Sequence, residues 1–445
     1  MRRSTGAAVL GVVLLFPLVG CSSATGRGSV PEPKSGITAP EVFYLRPHGD
    51  KTGSKAKVPF HVEAEDVGAV RTSVARDHRL TADVRGSESV VRLKKGSRCD
   101  GDTVRVTCEV AGNYNNWSDL DRVYPVAAKG SRPGDTGVVR FTFTTKDGRT
   151  MTTRTRVVVG EPVVKVRALE VIDGVRPGAD VTVPLVVRND GEVPVKGLAL
   201  KIGSDYMDFR HLYANCRYPD PSHGRMVICR FPRLRIPPGG AVVLSPALRL
   251  RASSTRMHTS FSQEAWPLDL GPGQNTVTPT DGELGDGPAL KAEVTSARDT
   301  DGTFAEGIVS TDVRLDIDVD YEVFGVELHG SPGARRSLRL KVRNNGPGNP
   351  GYAMRLVFTP PPGGVLKEPM RAIDVDVYDP LCDSADGTYS CPVDALGPGE
   401  SQDFEFILRL DGPGEGSVTV AYNRPSTGRH DANPGNDAAA VTVLP

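Results

Sequence analysis

The sequence lacks the features that mark several large classes of protein. Its 54 basic residues balance 54 acidic ones, so the formal net charge is zero and no strongly basic surface for nucleic acid is expected. No apolar run reaches the roughly 20 residues that a transmembrane helix needs. No HExxH, G-x-S-x-G, Walker or metal-type CxxC motif is present. We therefore expect a protein that is not an enzyme and that holds no cofactor or metal.

Catalysis by residues that converge from distant strands is the alternative to this reading. The eight His residues are scattered, and single ones such as His211 and His329 are interpreted as surface or packed residues. An envelope hydrolase, or a carbohydrate-binding accessory of one, is the function of a different class that stays open.

The residues that are abundant point to an all-β fold. The 49 Gly and 36 Pro residues are spread along the whole chain, as expected for many short strands joined by turns. No window shows convincing helical periodicity. Apolar and polar residues instead alternate with period two, which predicts strands with one buried face. Such runs are VVRFTFTT (138–145), VTVPLVV (181–187), VRLDIDVDYEV (313–323), LRLKVR (338–343) and DFEFILRL (403–410).

One arrangement of motifs recurs three times along the chain. An alternating stretch ends in a polar or Asn-Gly turn in KVPFHVEAED (57–66), TVPLVVRNDG (182–191) and RLKVRNNG (339–346). A pair of cysteines enclosing a turn follows each stretch, and a Pro-Gly turn with another alternating strand follows each pair. GPGQNTVT (271–278) and NPGNDAAAVTV (433–443) then close the last two copies in a similar way. The recurrence predicts three tandem modules.

Short strands in modules of this size are typical of immunoglobulin-like β-sandwiches. The predicted domains are 41–160, 161–283 and 284–445, with an extra hairpin or linker over 284–308. The VRNDG and VRNNG strand ends and the NPGND turn make residues 161–445 resemble the CARDB-type and related Ig-like modules of bacterial surface proteins. The resemblance implies interactions at the cell envelope, such as adhesion or assembly.

The first residues have the pattern of an export signal. MRRSTG carries two positive charges, and an apolar run over 7–20 follows them. Leu18-Val19-Gly20-Cys21 resembles the bacterial lipobox, which implies that residues 1–20 are removed and that Cys21 carries a diacylglycerol (and, as part of the lipoprotein expectation, palmitate). Residues 21–40 are rich in Ser, Gly and Pro and predict a tether. The alternative is a soluble secreted protein whose signal happens to contain Cys21.

These features together predict a lipoprotein on the extracytoplasmic face of the cell membrane. Its partners would be the membrane, through Cys21, and an unknown envelope protein or glycan, but not nucleic acid. Its three sandwiches would form a stalk or docking surface.

Export also decides the state of the remaining six cysteines. Disulfides persist in oxidising compartments, and six cysteines allow fifteen connectivities. Local pairing is preferred because each pair falls at the same place in its own copy. The predicted bonds are Cys99–Cys108, Cys216–Cys229 and Cys382–Cys391.

The sequence contains a row of carboxylates whose mutual repulsion must be offset by positive charge. If 313–323 is one strand, three acidic residues share one face about 7 Å apart and repel each other: Asp316, Asp318 and Asp320. The next alternating strand carries three cations on one face: Arg339, Lys341 and Arg343. We expect these two rows to pair across antiparallel strands, with calcium binding as the alternative. Asp299-x-Asp301-Gly302 is interpreted as a surface turn rather than a calcium loop.

One loop of the first copy contains exposed-looking aromatic residues. AGNYNNWSDLDRVY (111–124) places Tyr114 and Trp117 among Asn residues, where they could stack on a sugar ring or a partner. The alternative, that both rings fold back onto their own sandwich, is the more common situation.

Overall fold

The structure is a computed structural model. It describes residues 36–49, 63–65, 75–96, 99–112, 116–117, 123–219, 225–271, 282–296, 300–351, 354–421 and 431–445. The predicted signal segment 1–20, Cys21 and the tether up to residue 35 lie outside the described residues. Within these ranges no helix is long and apolar enough to cross a membrane.

The first unit consists of eleven strands from Gly36 to Val159. They are β1 (Gly36–Thr38), β2 (Val42–Leu45), β3 (Glu63–Glu65), β4 (Ala75–Asp83), β5 (Val91–Lys95), β6 (Cys99–Gly101), β7 (Arg105–Gly112), β8 (Asn116–Trp117), β9 (Val123–Ala127), β10 (Thr136–Thr144) and β11 (Thr150–Val159). A six-stranded sheet, β2-β11-β10-β4-β7-β6, packs on the β5-β9 pair, and β1-β3-β8 form a small third sheet.

The second unit runs from Val164 to Leu315. Its strands are β12 (Val164–Arg167), β13 (Ile172–Val175), β14 (Asp180–Val183), β15 (Val186–Asn189), β16 (Val195–Asp205), β17 (Asp208–Phe209), β18 (Cys216–Tyr218), β19 (Arg225–Ile236), β20 (Gly240–Ser245), β21 (Leu248–Arg251), β22 (His258–Pro267), β23 (Glu283–Leu284), β24 (Lys291–Ser296), β25 (Phe304–Ala305) and β26 (Val309–Leu315). A five-stranded sheet, β24-β20-β15-β12-β25, faces a seven-stranded sheet, β13-β26-β22-β16-β19-β18-β23, and β14-β21-β17 form a third.

The third unit runs from Tyr321 to Leu444. Its strands are β27 (Tyr321–Val323), β28 (Val326–His329), β29 (Arg335–Asn344), β30 (Met354–Thr359), β31 (Gly363–Lys367), β32 (Met370–Asp374), β33 (Val377–Pro380), β34 (Asp383–Ala385), β35 (Thr388–Val393), β36 (Ser401–Leu410), β37 (Gly414–Ala421) and β38 (Ala438–Leu444), with a 3-10 helix at Pro434–Asn436 before the last strand. The sheets are β27-β29-β36-β31 and β28-β38-β37-β30-β35-β34, and β32-β33 form a separate pair.

All three units share one topological feature. In each, a strand from the beginning of the unit pairs in parallel with its last strand: β2 with β11, β13 with β26, and β28 with β38. The other sheet pairings of the large sheets are antiparallel. This shared topology and the two facing sheets confirm the predicted fold class of tandem Ig-like β-sandwiches.

Alternation within the strands builds each core. In β36, for example, Phe404, Phe406, Leu408 and Leu410 are buried while the residues between them are more exposed. They meet residues of the opposite sheet such as Phe358, whose ring centroid lies 4.9 Å from that of Phe406. Every unit has its own buried apolar cluster of this kind, as period-two patterning requires.

The strand pairing places the boundary between the second and third sandwiches after Leu315 and not, as predicted, at residue 284. Lys291–Ser296 lies antiparallel to Gly240–Ser245, and Val309–Leu315 pairs with His258–Pro267. Residues 284–308 are therefore neither an extra hairpin of the third domain nor a linker, because Lys291–Ser296 and Phe304–Ala305 are the two outer strands of the five-stranded sheet of the second sandwich. Val309–Leu315, which follows them, belongs to the seven-stranded sheet of the same sandwich. Without Lys291–Ser296 and Val309–Leu315, the strands that contain the buried residues Val242 and Phe261 would each lose a neighbouring strand.

The prediction of one strand over 313–323 is also wrong. Leu315 ends the last strand of the second sandwich and Tyr321 begins the first strand of the third. Apolar and polar residues continue to alternate through residues 316–320 because two apolar side chains there are packed inward. Ile317 packs against the cores of the second and third sandwiches, and Val319 packs in the core of the third. By the same evidence GPGQNTVT does not close the second sandwich, since that sandwich ends in β26; residues 272–278 lie outside the described part of the chain.

Candidate functional site

The three predicted disulfides are present. Cys99 is bonded to Cys108, Cys216 to Cys229, and Cys382 to Cys391. In the first two pairs the cysteines are also direct cross-strand partners. All six are buried. In the first sandwich the bond ties the edge strand β6 to β7, and in the third Cys382 directly precedes the edge strand β34 and is tied to β35. In the second sandwich the bond ties β18 to β19, with β23 as one further strand outside β18. Disulfides at this density are typical of proteins outside the cytoplasm.

The predicted pairing of the two charge rows is not formed. Asp316, Asp318 and Asp320 precede β27 and do not face β29. Arg339 lies opposite Glu405 and Lys341 opposite Asp403 of β36, and Arg343 lies opposite Glu322 of β27. Arg339 Nη2 lies 2.6 Å from Glu405 Oε1. Among the described residues no group of three or more His, Cys, Asp or Glu side chains is arranged to hold a metal ion. The cations of β29 are therefore matched mainly by carboxylates of β36, a strand much further along the chain.

The Asn of the VRNDG motif has a structural role. Asn189 ends β15, and its side chain is completely buried. Its Nδ2 donates to the carbonyls of Val193, at 2.9 Å, and Ile236, at 3.0 Å. Its Oδ1 accepts from the amides of Val163, at 3.2 Å, and Gly191, at 3.0 Å. The side-chain amide of Asn189 thereby links the turn that follows it, strand β19 of the opposite sheet, and the segment at Val163 that enters the sandwich.

The VRNNG motif repeats this network in the third sandwich. Asn344 is also completely buried. Its Nδ2 donates to the carbonyls of Gly348, at 2.6 Å, and Leu396, at 2.9 Å. Its Oδ1 accepts from the amides of Asp320, at 3.2 Å, and Gly346, at 3.0 Å. Four matching partners show that the repeated Asn is a scaffold residue and not a ligand-binding one.

The NPGND turn fastens the start of the third sandwich. Asn436 Nδ2 donates to Asp320 Oδ1 at 2.9 Å, and the amide of Tyr321 donates to Asp431 Oδ2 at 2.6 Å. Burial raises the pKa of Asp437 to about 7, with further contributions from the nearby charges of Asp431 and Asp320 and from a hydrogen bond with Asp431. A proton held between Asp437 and Asp431 relieves this repulsion. The turn is therefore a structural clamp that is sensitive to pH.

The first two sandwiches meet directly. Residues 160–163 connect them. Tyr44 and Val158 of the first sandwich pack on Val193 of the second, and Tyr44 Oη donates to Asp269 Oδ2 at 2.6 Å. Burial and this hydrogen bond raise the pKa of the Tyr44 hydroxyl above its usual value. A buried apolar contact with a polar bond at its edge thus forms the junction.

The second and third sandwiches are joined by more hydrogen bonds. Asn349 lies beside the segment that precedes β22, where its amide donates to the carbonyl of Thr255 at 2.6 Å and its carbonyl accepts from Met257 at 2.8 Å. Arg256 Nη1 donates to Asn349 Oδ1 at 2.8 Å. The Met257 side chain lies in the core of the third sandwich although its backbone belongs to the second. Side chain and backbone therefore both cross this junction.

A basic cleft opens on the first sandwich. It has a volume of about 850 Å³ and lies between the end of β2 and the outer face of the β5-β9 pair. Five basic residues line it, against the single carboxylate of Glu88: Arg46, His48, Arg92, Lys94 and Lys129. Leu45, Pro125 and Ala127 contribute apolar surface. Lys94 and Lys129 are exposed and form no ion pair with any residue that the structure describes. The cleft can bind an acidic group that also carries apolar atoms.

An apolar ribbon projects from the third sandwich. We use this name for β32, β33 and the turn Val375-Asp376 that joins them. Val375 is 84% exposed, Tyr378 59% and Ile373 54%, and Met370 and Val377 are exposed as well. Carboxylates occur beside these residues at Asp374, Asp376 and Asp379. The ribbon is held at its base by the Leu381 amide, which donates to the Pro369 carbonyl at 2.8 Å, and by the adjacent Cys382–Cys391 bond.

Clusters of exposed apolar residues on soluble proteins usually mark interaction sites. The ribbon also presents two strand edges that have no partner among the described residues. Unpaired edges offer main-chain hydrogen bonds to another chain. The ribbon is therefore the candidate interaction surface of the third sandwich.

The aromatic loop of the first sandwich is described only in part. Tyr114 lies outside the described residues. The backbone of Trp117 belongs to β8 and pairs with Ala64 of β3. Of the two His residues, His211 is exposed with its ring 6.3 Å from that of Tyr213, and His329 is exposed and accepts a bond from Arg336 through its carbonyl. In the described part of the chain, neither His belongs to a group of three or more His, Cys, Asp or Glu side chains that could hold a metal ion.

Comparison with known proteins gives only distant similarities. No protein-family model matches the chain, and no curated protein matches it. Among solved structures, a tetra-tandem repeat from the extending region of a large adhesion protein is 13% identical, with a TM-score of 0.24 over 92% of this chain and 74% of the other. The titin I-band fragment I67–I69 is 9% identical, with a TM-score of 0.18 over 92% and 98%. The C-terminal domain of the Streptococcus pyogenes protein AspA is 8% identical, with a TM-score of 0.18 over 64% and 99%. Scores this low support no conclusion about function.

Sequence reasoning missed both the cleft and the ribbon. A signal for the ribbon was present in the spacing: Cys216 follows the preceding long strand by 11 positions (Asp205 to Cys216), whereas Cys382 follows it by 23 (Thr359 to Cys382). An insertion that contains Ile373, Val375 and Val377 alternating with acids predicts an exposed hairpin. The cleft had no comparable signal, because its residues come from separate segments.

Proposed function

We propose that this chain is a non-catalytic lipoprotein of the cell surface, whose three Ig-like sandwiches form a stalk that carries an interaction surface used in adhesion or assembly. Membership of the CARDB-type family is part of the proposal for residues 161–445 and rests on the two Asn-Gly strand ends and the NPGND turn. The anchor rests on the lipobox-like sequence that ends at Cys21.

The observation that carries the stalk role is the construction of the two junctions. The connections span only residues 160–163 and 316–320, and both junctions combine buried apolar side chains with hydrogen bonds. Sandwiches linked by flexible tethers would turn freely. Short connections limit such rotation, as a spacer requires, and in the second connection Ile317 also packs against both neighbouring cores.

The anchor is tested by labelling growing cells with a radioactive or clickable fatty acid. We expect label in the native chain and none in a Cys21→Ser variant, because diacylation requires the Cys21 sulfur. A Ser22→Ala variant is the matched control and should be labelled like the native chain. Equal label in the native chain and Cys21→Ser would refute the anchor.

The stalk is tested by small-angle X-ray scattering of the full-length protein in detergent, with the detergent contribution matched out. Asn349→Ala removes the side-chain bonds to Arg256 and Ala395, and we expect a broader distribution of interdomain distances. Asn345→Ala, an exposed neighbour in the same sandwich, should leave the distribution unchanged. Equal flexibility in native and Asn349→Ala protein would refute a junction that restrains the sandwiches.

An envelope carbohydrate-binding protein, or the accessory of a hydrolase, is the second candidate. It is favoured by the Asn-rich loop that holds Tyr114 and Trp117, since aromatic planes stack on sugar rings. Binding to immobilised envelope glycans that is abolished in Trp117→Ala would favour it over a stalk without glycan contacts.

A further inference from the structure

The chain carries two exposed surfaces of opposite charge, each combined with apolar area. The apolar ribbon has an exposed Val375 between two carboxylates, Asp374 and Asp376. The basic cleft of the first sandwich is lined by the exposed residues Lys94 and Lys129 and by the buried apolar residues Leu45 and Ala127.

The ribbon has the properties of an inserting element. Two-stranded ribbons by themselves are marginally stable in water, and this one places its most exposed side chain, Val375, at the tip. Asp376 adopts a left-handed conformation, with φ of 61°, which Asp tolerates better than most residues. This conformation reverses the chain in two residues and keeps the tip narrow.

The tip of the apolar ribbon and the basic cleft have complementary charges. Neither Asp374 nor Asp376 forms an ion pair with a described residue, and the same holds for Lys94 and Lys129. Arg371, the cation of the ribbon, lies opposite Asp379 in the register and so offsets one of its three carboxylates. The tip therefore keeps two uncompensated negative charges, and the cleft keeps an excess of positive ones.

The volume of the basic cleft is also compatible with the size of the ribbon tip. The cleft, at about 850 Å³, falls in the range of roughly 300–1,000 Å³ that binding clefts occupy. It is lined by Arg92 and Lys94 of β5 and by Val126 of β9, all from one rigid strand pair. The volume of the cleft is therefore compatible with a tip of two residues.

We propose that the apolar ribbon of one chain docks into the basic cleft of a second copy of the same chain. The contact is heterologous, since different surfaces of the two copies meet. Two copies can close on each other through two such contacts, or further copies can extend the assembly. This inference goes beyond the stalk and does not depend on the lipid at Cys21.

The first experiment replaces Val375 with a photo-crosslinking amino acid in the full-length protein. Irradiation of cells should give an adduct with the mass of two chains, and mass spectrometry should place the second end of the crosslink in residues 88–94 or 123–129. An adduct of two chains linked elsewhere, an adduct within a single chain, or an adduct only with another protein would overturn the proposal.

The second experiment reverses the charges. Asp374→Lys with Asp376→Lys, or Lys94→Glu with Lys129→Glu, should each weaken self-association of the detergent-solubilised full-length protein at least about tenfold in analytical ultracentrifugation, because like charges now meet. Combining all four substitutions in one chain should restore association, and raising the salt concentration should weaken the native contact.

A matched control carries the same change of net charge away from both surfaces. Glu327→Lys with Asp394→Lys changes two exposed carboxylates of the third sandwich and should leave association unchanged. Monomeric native protein at all concentrations, or failure of the four-fold variant to regain association while it remains folded, would refute the docking. Equal fatty-acid labelling of the native chain and Cys21→Ser would refute the anchor and leave both experiments valid, so the anchor and the docking fail separately.

Discussion

The second and third sandwiches share a framework and differ in what they display. Asn189 and Asn344 make equivalent sets of four hydrogen bonds, and each sandwich has one disulfide near an end of a large sheet. Only the third carries the apolar ribbon among the segments that the structure describes. The difference shows that repeated residues maintain the scaffold, whereas a local insertion supplies a surface.

The largest effect on stability is expected from replacing the buried Asn that the second and third sandwiches share. Asn344→Ala and Asn189→Ala each leave two amides and two carbonyls without partners in a buried site, and an unsatisfied buried group costs about 1–3 kcal/mol. We expect the free energy of unfolding of the affected sandwich to fall by about 3–5 kcal/mol, as measured by hydrogen exchange of its core strands.

Asn345→Ala is the control for this prediction. Its exposed side chain makes one bond, to Glu322, and the expected loss is below about 1 kcal/mol. A loss at Asn189 that differed from the loss at Asn344 by several kcal/mol would show that the two networks are not equivalent.

Removal of a disulfide should have the next largest effect. The cysteines are 13 positions apart in the second sandwich and 9 in the third, and the entropy of loop closure depends only weakly on this length. Replacing either pair with Ala should cost about 3 kcal/mol, and the two costs should agree within about 0.5 kcal/mol in urea denaturation. A clearly larger loss in the third sandwich would show that its bond also supports the ribbon.

A smaller effect is expected from a rise in pH above about 4, through Asp437 of the third sandwich. The folded pKa of Asp437 is raised to about 7 from an ordinary value of 3.8, so the folded state favours the protonated form. Stability should therefore fall as pH rises from about 4 to 7, by roughly 1 kcal/mol after allowing for partial solvent screening.

The Asp437→Asn variant tests the assignment. It keeps the shape of the side chain and cannot ionise, so the melting temperature of the third sandwich should lose this pH dependence, as followed by calorimetry between pH 4.5 and 8. An unchanged pH profile in the variant would contradict the role of Asp437.

The smallest effect is expected at the ribbon. Val375 is 84% exposed, so Val375→Asn should change the free energy of unfolding by less than about 0.5 kcal/mol in urea denaturation. Phe358→Ala, at a fully buried position of the same sandwich, should cost about 3–5 kcal/mol. A large loss from Val375→Asn would mean that the ribbon belongs to the scaffold.

Several features of the fold were predictable because they depend on nearby residues. Alternation identified strands such as Ser401–Leu410, and the repeated position of the cysteine pairs identified all three disulfides. The turn residues around each pair lie in the same short segment as the cysteines. Local patterns of this kind do not require knowledge of the distant chain.

The division between the second and third sandwiches was not predictable in the same way. Residues 313–323 alternate without interruption, yet Leu315 and Tyr321 belong to different sandwiches. Ile317 faces two cores at once, so the connection needs the same apolar spacing as a strand. Pairing of β24 and β26 with strands far earlier in the chain decided the boundary.

The sequence by itself determined that this protein is built from period-two strands, that its cysteines pair locally, and that one module is repeated, because side-chain alternation and short loops act over a few residues. Only the tertiary structure decided which strands complete each sandwich and that Asn189 and Asn344 each join three chain segments. It also decided that the basic cleft and the apolar ribbon are both exposed. Those features depend on contacts between residues that are distant in sequence, and the pattern of nearby residues does not specify which distant partners will meet.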